Sequence, residues 1–188
     1  MTVTVASGYL TGTHAGNYLL PTVTGSPVLT VTQTSQAGLS WTSILSTVFG
    51  QNITLSATGG SGTGTLSFAT TSGPCTVASS IVTPTSVGTC VVVVTRAGDT
   101  NYTAQTLSGN VSIGQATQST VSMTNATTVV YGSTLTLTAT GGDGTGAYDF
   151  AKVNGNCAVA GDVLTPLGVG DCVVHARKLS STNFLTSA

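Results

Sequence analysis

The chain has 188 residues, only 5% of them charged, with a formal net charge of −1. So weak a field excludes binding driven by phosphate neutralisation or by an anionic lipid surface, and no nucleic-acid partner is expected. Hydrophobic residues make up 40% of the chain, too many for intrinsic disorder. No apolar run reaches the roughly eighteen residues of a spanning helix, so no membrane insertion is expected.

The first segments, "MTVTVAS" (1–7) and "PVLTVTQ" (27–33), alternate with period two and read as strands. "MTVTVASGYL" has neither the basic start nor the apolar centre of a signal peptide, so an exported chain would take its signal from a longer parent. Further along, the chain repeats itself at an offset of 82 residues. "FGQNITLSATGGSGTGTLSF" (49–68) stands against "YGSTLTLTATGGDGTGAYDF" (131–150), and Pro84 against Pro166. "TNY" (100–102) stands against "TNF" (182–184). Such self-similarity marks a modular architecture. It predicts three parts. Residues 1–34 hold the last two strands of a preceding domain, or a donor-strand segment. Residues 35–116 form repeat one. Residues 117–188 form repeat two without its last strand, the counterpart of "NVSIGQ" (110–115).

Within each repeat, Ile53, Leu55 and Ala57, and their copies Leu135, Leu137 and Ala139, alternate and are expected to face a core. The Gly-rich stretches 58–64 and 140–146 follow. They lack the Lys-Ser or Lys-Thr of a phosphate loop and are expected to be tight hairpins. Leu66 and Phe68, or Tyr148 and Phe150, then return to the same core. The strand "CVVVV" (90–94) is apolar on both faces, but its copy "CVVHAR" (172–177) is not. That copy places Cys172, Val174 and Ala176 inside and Val173, His175 and Arg177 outside. By transfer, Cys90, Val92 and Val94 point in, while Val91 and Val93 point out. Short alternating strands with frequent turn signals predict an all-β fold of sandwich type.

The four cysteines form two pairs, Cys75 with Cys90 and Cys157 with Cys172, one per repeat. Evenly paired cysteines in a chain of this composition predict disulfides within each repeat. There is no C-x-x-C, and the histidines are His14 and His175, so neither a metal nor a cofactor is expected. A loop of this length confers about 3 kcal/mol by constraining the unfolded chain.

Other motifs carry less. Sequons lie at Asn52, Asn101, Asn110 and Asn125, which makes a glycan a conceivable partner. Asp143, Asp149, Asp162 and Asp171 are the carboxylates from which a calcium site in repeat two would be drawn. His14 and His175 fall in different parts of the chain and neither belongs to a nucleophile motif, so no catalytic residue is expected. Lys152 and Lys178, with no Glu in the chain, give little for an internal isopeptide bond. Trp41 is expected in a core or interdomain contact. Tyr18, Tyr102 and Phe184 recur at one place and are expected to plug against the next module.

The pattern "TGGSGTGTLSF…GPCTV…VTPTSVGTCVVVVTRAGDTNY", with its copy, resembles the Ig-like repeats of very large bacterial surface and secreted proteins. "YLTGTHAGNYLL" (9–20) resembles the end of the YDG/MBG type of repeat found in such proteins. This resemblance implies tandem Ig-like β-sandwich domains outside a bacterial cell, in an extracellular fibre or at the cell surface, with no catalytic motif. The function expected is structural: a filament in which copies of the chain, or neighbouring Ig-like domains of a longer chain, are the partners. Subunits would be joined by strand addition through Val28, Leu29 and Val31, with the outward Val91 and Val93 and the plugs Tyr18 and Phe184 as further interface candidates. The alternative is an adhesin segment that binds glycan or host protein through its loops.

Overall fold

The computed structural model describes residues 2–4, 28–125 and 127–188. Every regular element among them is a strand. Two short ones come first, β1 (Thr2–Thr4) and β2 (Val28–Thr30). Repeat one contains β3 (Leu39–Trp41), β4 (Ser46–Val48), β5 (Ile53–Thr54), β6 (Ala57–Gly59) and β7 (Leu66–Ser72). It continues with β8 (Cys75–Ala78), β9 (Ile81–Pro84), β10 (Gly88–Arg96) and β11 (Gln105–Gly114). Repeat two contains β12 (Val121–Met123), β13 (Leu135–Thr136), β14 (Ala139–Gly141) and β15 (Tyr148–Gly155). Its last strands are β16 (Cys157–Ala160), β17 (Val163–Pro166) and β18 (Cys172–Lys178).

The architecture is all-β and divided into small sheets. Repeat one has a four-stranded sheet in the order β4-β11-β10-β7, a pair β3-β6 and a trio β5-β9-β8. Repeat two has the pairs β12-β14 and β15-β18 and the trio β13-β17-β16. Matching strands pair in matching register: Ile53 faces Val82 as Leu135 faces Leu164, and Cys75 faces Pro84 as Cys157 faces Pro166. Both long hairpins carry the same bulge. Thr71 is skipped opposite Val91/Val92, and Val153 opposite Val173/Val174. A separate two-stranded sheet joins β1 and β2, antiparallel as β10 is to β11.

The alternation read from the sequence determines which side chains form the core. Cys90, Val92 and Val94 are fully buried, and Leu55 and Val82 join them. The core of repeat one takes side chains from the four-stranded sheet and from both smaller ones, with Trp41, Ile53 and Phe68 at its margin. In repeat two, Leu137, Cys157 and Leu164 form the buried cluster, with Val174 and Phe150 partly buried against it.

The Gly-rich stretches are not hairpins. β6 pairs with β3, whereas β7 pairs with β10, so residues 60–65 carry the chain from one sheet to another. The glycines are required by close approach. A Cβ on Gly64 would run into the Ala97 carbonyl, and one on Gly62 would lie 2.6 Å from the Asp99 carboxylate. Gly59 and Gly60 also take positive φ, at 100° and 77°.

Candidate functional site

The two repeats differ at one place. In repeat one, β11 lies between β10 and β4. It runs antiparallel to β10 along its whole length and parallel to β4. Its Val111 and Ile113 are 0% and 2% exposed and close the core. On the β4 side the strand is secured at both ends of the pairing: Ser112 N–H donates to the Leu45 carbonyl at 3.0 Å, and Phe49 N–H to the Gly114 carbonyl at 2.9 Å. Trp41 packs across it, its Nε1–H donating to the Ser108 carbonyl at 3.3 Å, with no room for a Cβ at Gly109.

Among the described residues, repeat two has the strands on one side but none in that position. β18 pairs with β15 only, and residues 128–130, the counterpart of β4, form no strand. A groove of about 670 Å³ runs along β18, lined by Met123, Val129, Leu135, Leu137, Cys172 and Val174 among others. Met123 stands where Trp41 stands in repeat one and is 37% exposed. The inward side chains Cys172, Val174 and Ala176 remain only half-buried. Beyond the groove, at the Lys178 end of β18, Ser187 exchanges hydrogen bonds with the Lys178 backbone, through its N–H at 2.9 Å and its hydroxyl at 2.8 Å.

Both expected disulfides are present, Cys75–Cys90 and Cys157–Cys172, each with a Cα–Cα distance of 5.9 Å. Each joins the strand that begins with its first cysteine to a strand of another sheet, β8 to β10 and β16 to β18. Two such bridges point to an oxidising, non-cytoplasmic environment.

The remaining candidates are dispersed. Val31 is 53% exposed beyond the end of β2; Val91 and Val93 are half-buried on the outer face of β10. Val28 and Leu29 lie in β2. Tyr18 and His14 lie outside the described residues. The four aspartates of repeat two do not converge. Asp149 pairs with Arg177 at 2.8 Å, and the Asp143 carboxylate accepts from Ser119 N–H at 2.6 Å. Lys178 Nζ points at the Gly141 and Gly142 carbonyls and over the Tyr148 ring. The Asn125 side chain bridges Thr136 and Thr138, while Asn52, Asn101 and Asn110 are exposed.

Phe184 meets the module before it: its ring lies edge-on to Phe49 of repeat one at 5.5 Å. Beside it, the Asn183 Oδ1 accepts from the Ser86 hydroxyl at 2.8 Å and from Val87 N–H at 3.0 Å. This asparagine clamp is missed by sequence reasoning, although its signal, the repeated Asn-aromatic pair, lies in plain view. The plug is held on its own repeat by equivalent backbone bonds in both copies: Thr34 with Asn101 and Thr103, and Ala116 with Asn183 and Leu185. Gln36 and Gln118 complete the frame, each donating to loop carbonyls six residues apart, Ala97 and Thr103 or Leu179 and Leu185, and accepting from Gly62 or Gly144 N–H.

Compared with known proteins, the chain matches no family model, no curated protein and no solved structure.

Proposed function

We propose that this chain is a structural segment of a bacterial extracellular fibre, built from disulfide-stapled Ig-like repeats whose subunits join by β-strand addition. The observation that carries it is the groove along β18, in the position that β11 fills in repeat one. An unpaired strand edge beside an apolar groove is the acceptor half of a strand-addition joint. The donor half is "PVLTVTQ" (27–33), which aligns with residues 109–115, the second half of β11 and the residue after it.

That alignment gives a register. Cys90 pairs with Val111 and Gly88 with Ile113, so Leu29 would stand opposite Cys172 and Val31 opposite Gly170. The donor would fill the Gly170–Val174 part of the groove and leave the Lys178 end to Ser187. β2 is released from a sheet of only two three-residue strands, a pairing of marginal stability in isolation. A fibre with few charges and covalent staples suits a setting without refolding machinery.

The test is deletion of residues 1–33, with electron microscopy and light scattering as readout. The full chain should form filaments and the truncated chain should not. A synthetic peptide of residues 27–33 should then bind the truncated chain and raise the unfolding temperature of repeat two. Full chain that stays monomeric at high concentration, or a peptide without effect, would sink the proposal. An adhesin acting through its loops would keep its ligand after the deletion.

A further inference from the structure

The junction between the repeats has two halves. On the repeat-one side, Phe49, Ser86 and Val87 form a shallow seat. On the repeat-two side, Asn183 and Phe184 form the insert. At the offset of 82 residues, each half recurs on the other repeat, and there it is not engaged by the same junction. The seat recurs on repeat two as Tyr131, Gly168 and Val169. The insert recurs on repeat one as Asn101 and Tyr102.

Exposure differs between the two copies of the seat and of the asparagine, while Tyr102 and Phe184 are both half-buried. Phe49 and Val87 are half-buried, whereas Tyr131 is 64% and Val169 95% exposed. Val130 and Leu167 beside them are 76% and 59% exposed. Four large apolar side chains standing in water at one end of a repeat form the type of patch that marks an interaction surface. On the other repeat, Asn183 is half-buried and Asn101 is exposed.

We infer that the Val130–Tyr131 and Leu167–Val169 end of repeat two is a docking seat for the Asn101–Tyr102 insert of a second copy of this chain. The chemistry matches term by term. Val169 keeps the backbone N–H that Val87 offers to Asn183, so Asn101 Oδ1 finds a donor. Tyr131 replaces Phe49 and Tyr102 replaces Phe184, which preserves an aromatic edge contact. Gly168 lacks the Ser86 hydroxyl, so this seat gives one hydrogen bond where the internal one gives two. Leu167, in the place of Thr85, adds apolar area instead.

The insert is held ready. The Asp99 carboxylate accepts from Asn101 N–H at 2.9 Å and Tyr102 N–H at 3.0 Å, and from Thr63 N–H at 2.7 Å. Seat and insert lie on different repeats of the same chain. Their contact is therefore heterologous and head-to-tail, the kind that propagates instead of closing a dimer. It deepens the fibre proposed above and rests on copies joining end to end, but it uses a different surface from the groove along β18. A single plug and seat is far below the ~1,200 Å² of a stable interface. Its role is to set the angle between successive subunits once another contact brings them together.

The experiment places a photoreactive benzoylphenylalanine at position 131 of the full chain and maps the adducts by mass spectrometry. Adducts between copies, concentrated on residues 99–103, are expected, and Asn101→Asp with Val169→Asp should reduce them at least tenfold. Adducts confined to the chain's own residues, or scattered over a partner's surface, would overturn the inference. So would a seat that captures only a separately supplied following repeat. Filaments that persist with a changed subunit angle in the Val169→Asp variant support the seat. Filaments that persist with the angle unchanged refute it while leaving strand addition intact. If deletion of residues 1–33 leaves adduct formation unchanged, the seat stands and strand addition falls.

Discussion

Repeat one and repeat two have the same register, the same bulge, the same glutamine frame and the same disulfide, yet their cores are not equally closed. Cys90 and Val92 are 0% exposed, whereas Cys172 and Val174 are half-buried. The buried cluster holds seven residues in repeat one and three in repeat two. Val111 and Ile113 of β11 belong to the larger cluster, and among the described residues no strand lies beside β18 on the matching side. The lesson is that the repeat has two separable parts. The hairpin, trio and staple form without β11. The dry core requires it.

The largest test of that division removes the staples. The Cys157→Ala/Cys172→Ala double variant should unfold repeat two outright, because about 3 kcal/mol is lost from a unit with few buried side chains. The matching pair in repeat one, Cys75→Ala/Cys90→Ala, should lower its stability by a similar amount but leave it folded. Trp41, the single tryptophan, reports repeat one by fluorescence, and hydrogen exchange reports repeat two. Equal loss of structure in both would break the comparison.

A smaller effect is expected from one substitution made twice. Val92→Ala removes side-chain volume from a sealed core and should cost about 2 kcal/mol, whereas Val174→Ala beside the groove should cost under about 1 kcal/mol. Addition of the 27–33 peptide should raise the second value toward the first. Urea midpoints measure both.

The smallest effect concerns pH. The Asp99 carboxyl lies below its ordinary range, chiefly because Thr63 N–H donates to it, then Asn101 N–H; desolvation opposes them, and Tyr102 N–H and the Thr63 hydroxyl add to the lowering. A lowered folded value means that this contribution is fully present above the ordinary carboxylate pKa. It is lost as pH falls through the lowered one. The insert loop of repeat one should therefore loosen in acid, while that of repeat two, with Ser181 at the matching place, should not. Asp99→Ser should abolish the difference, as read by amide exchange at Asn101 and Tyr102.

Much of this was legible because the sequence states it twice. "CVVHAR" resolved the inward face of "CVVVV", and the pairing of Cys75 with Cys90 followed from its recurrence as a unit. The Gly-rich stretches were misread because glycine marks both tight turns and close approach, and a sequence does not say which. Here the crowding comes from Ala97 and Asp99, more than thirty residues away. The contact of Phe184 with Phe49 was not legible, because recurrence shows that a residue sits at a module's edge but not which neighbour that edge faces. Asn183 was overlooked because its partners, Ser86 and Val87, are not conspicuous until the fold brings them beside it.

Each disulfide also bears on how the repeat would behave under load. A segment of fifteen residues closed on itself cannot be drawn out when the chain is pulled from its ends. At about 3.3–3.6 Å per extended residue, that withholds roughly 50 Å of extension per repeat. The bridge also clamps two sheets together across the core, so tension must strip the outer strands and leave the clamped part intact. A fibre of such units would yield in short steps and recover from a retained nucleus, and a reducing agent would lengthen each step by the withheld amount.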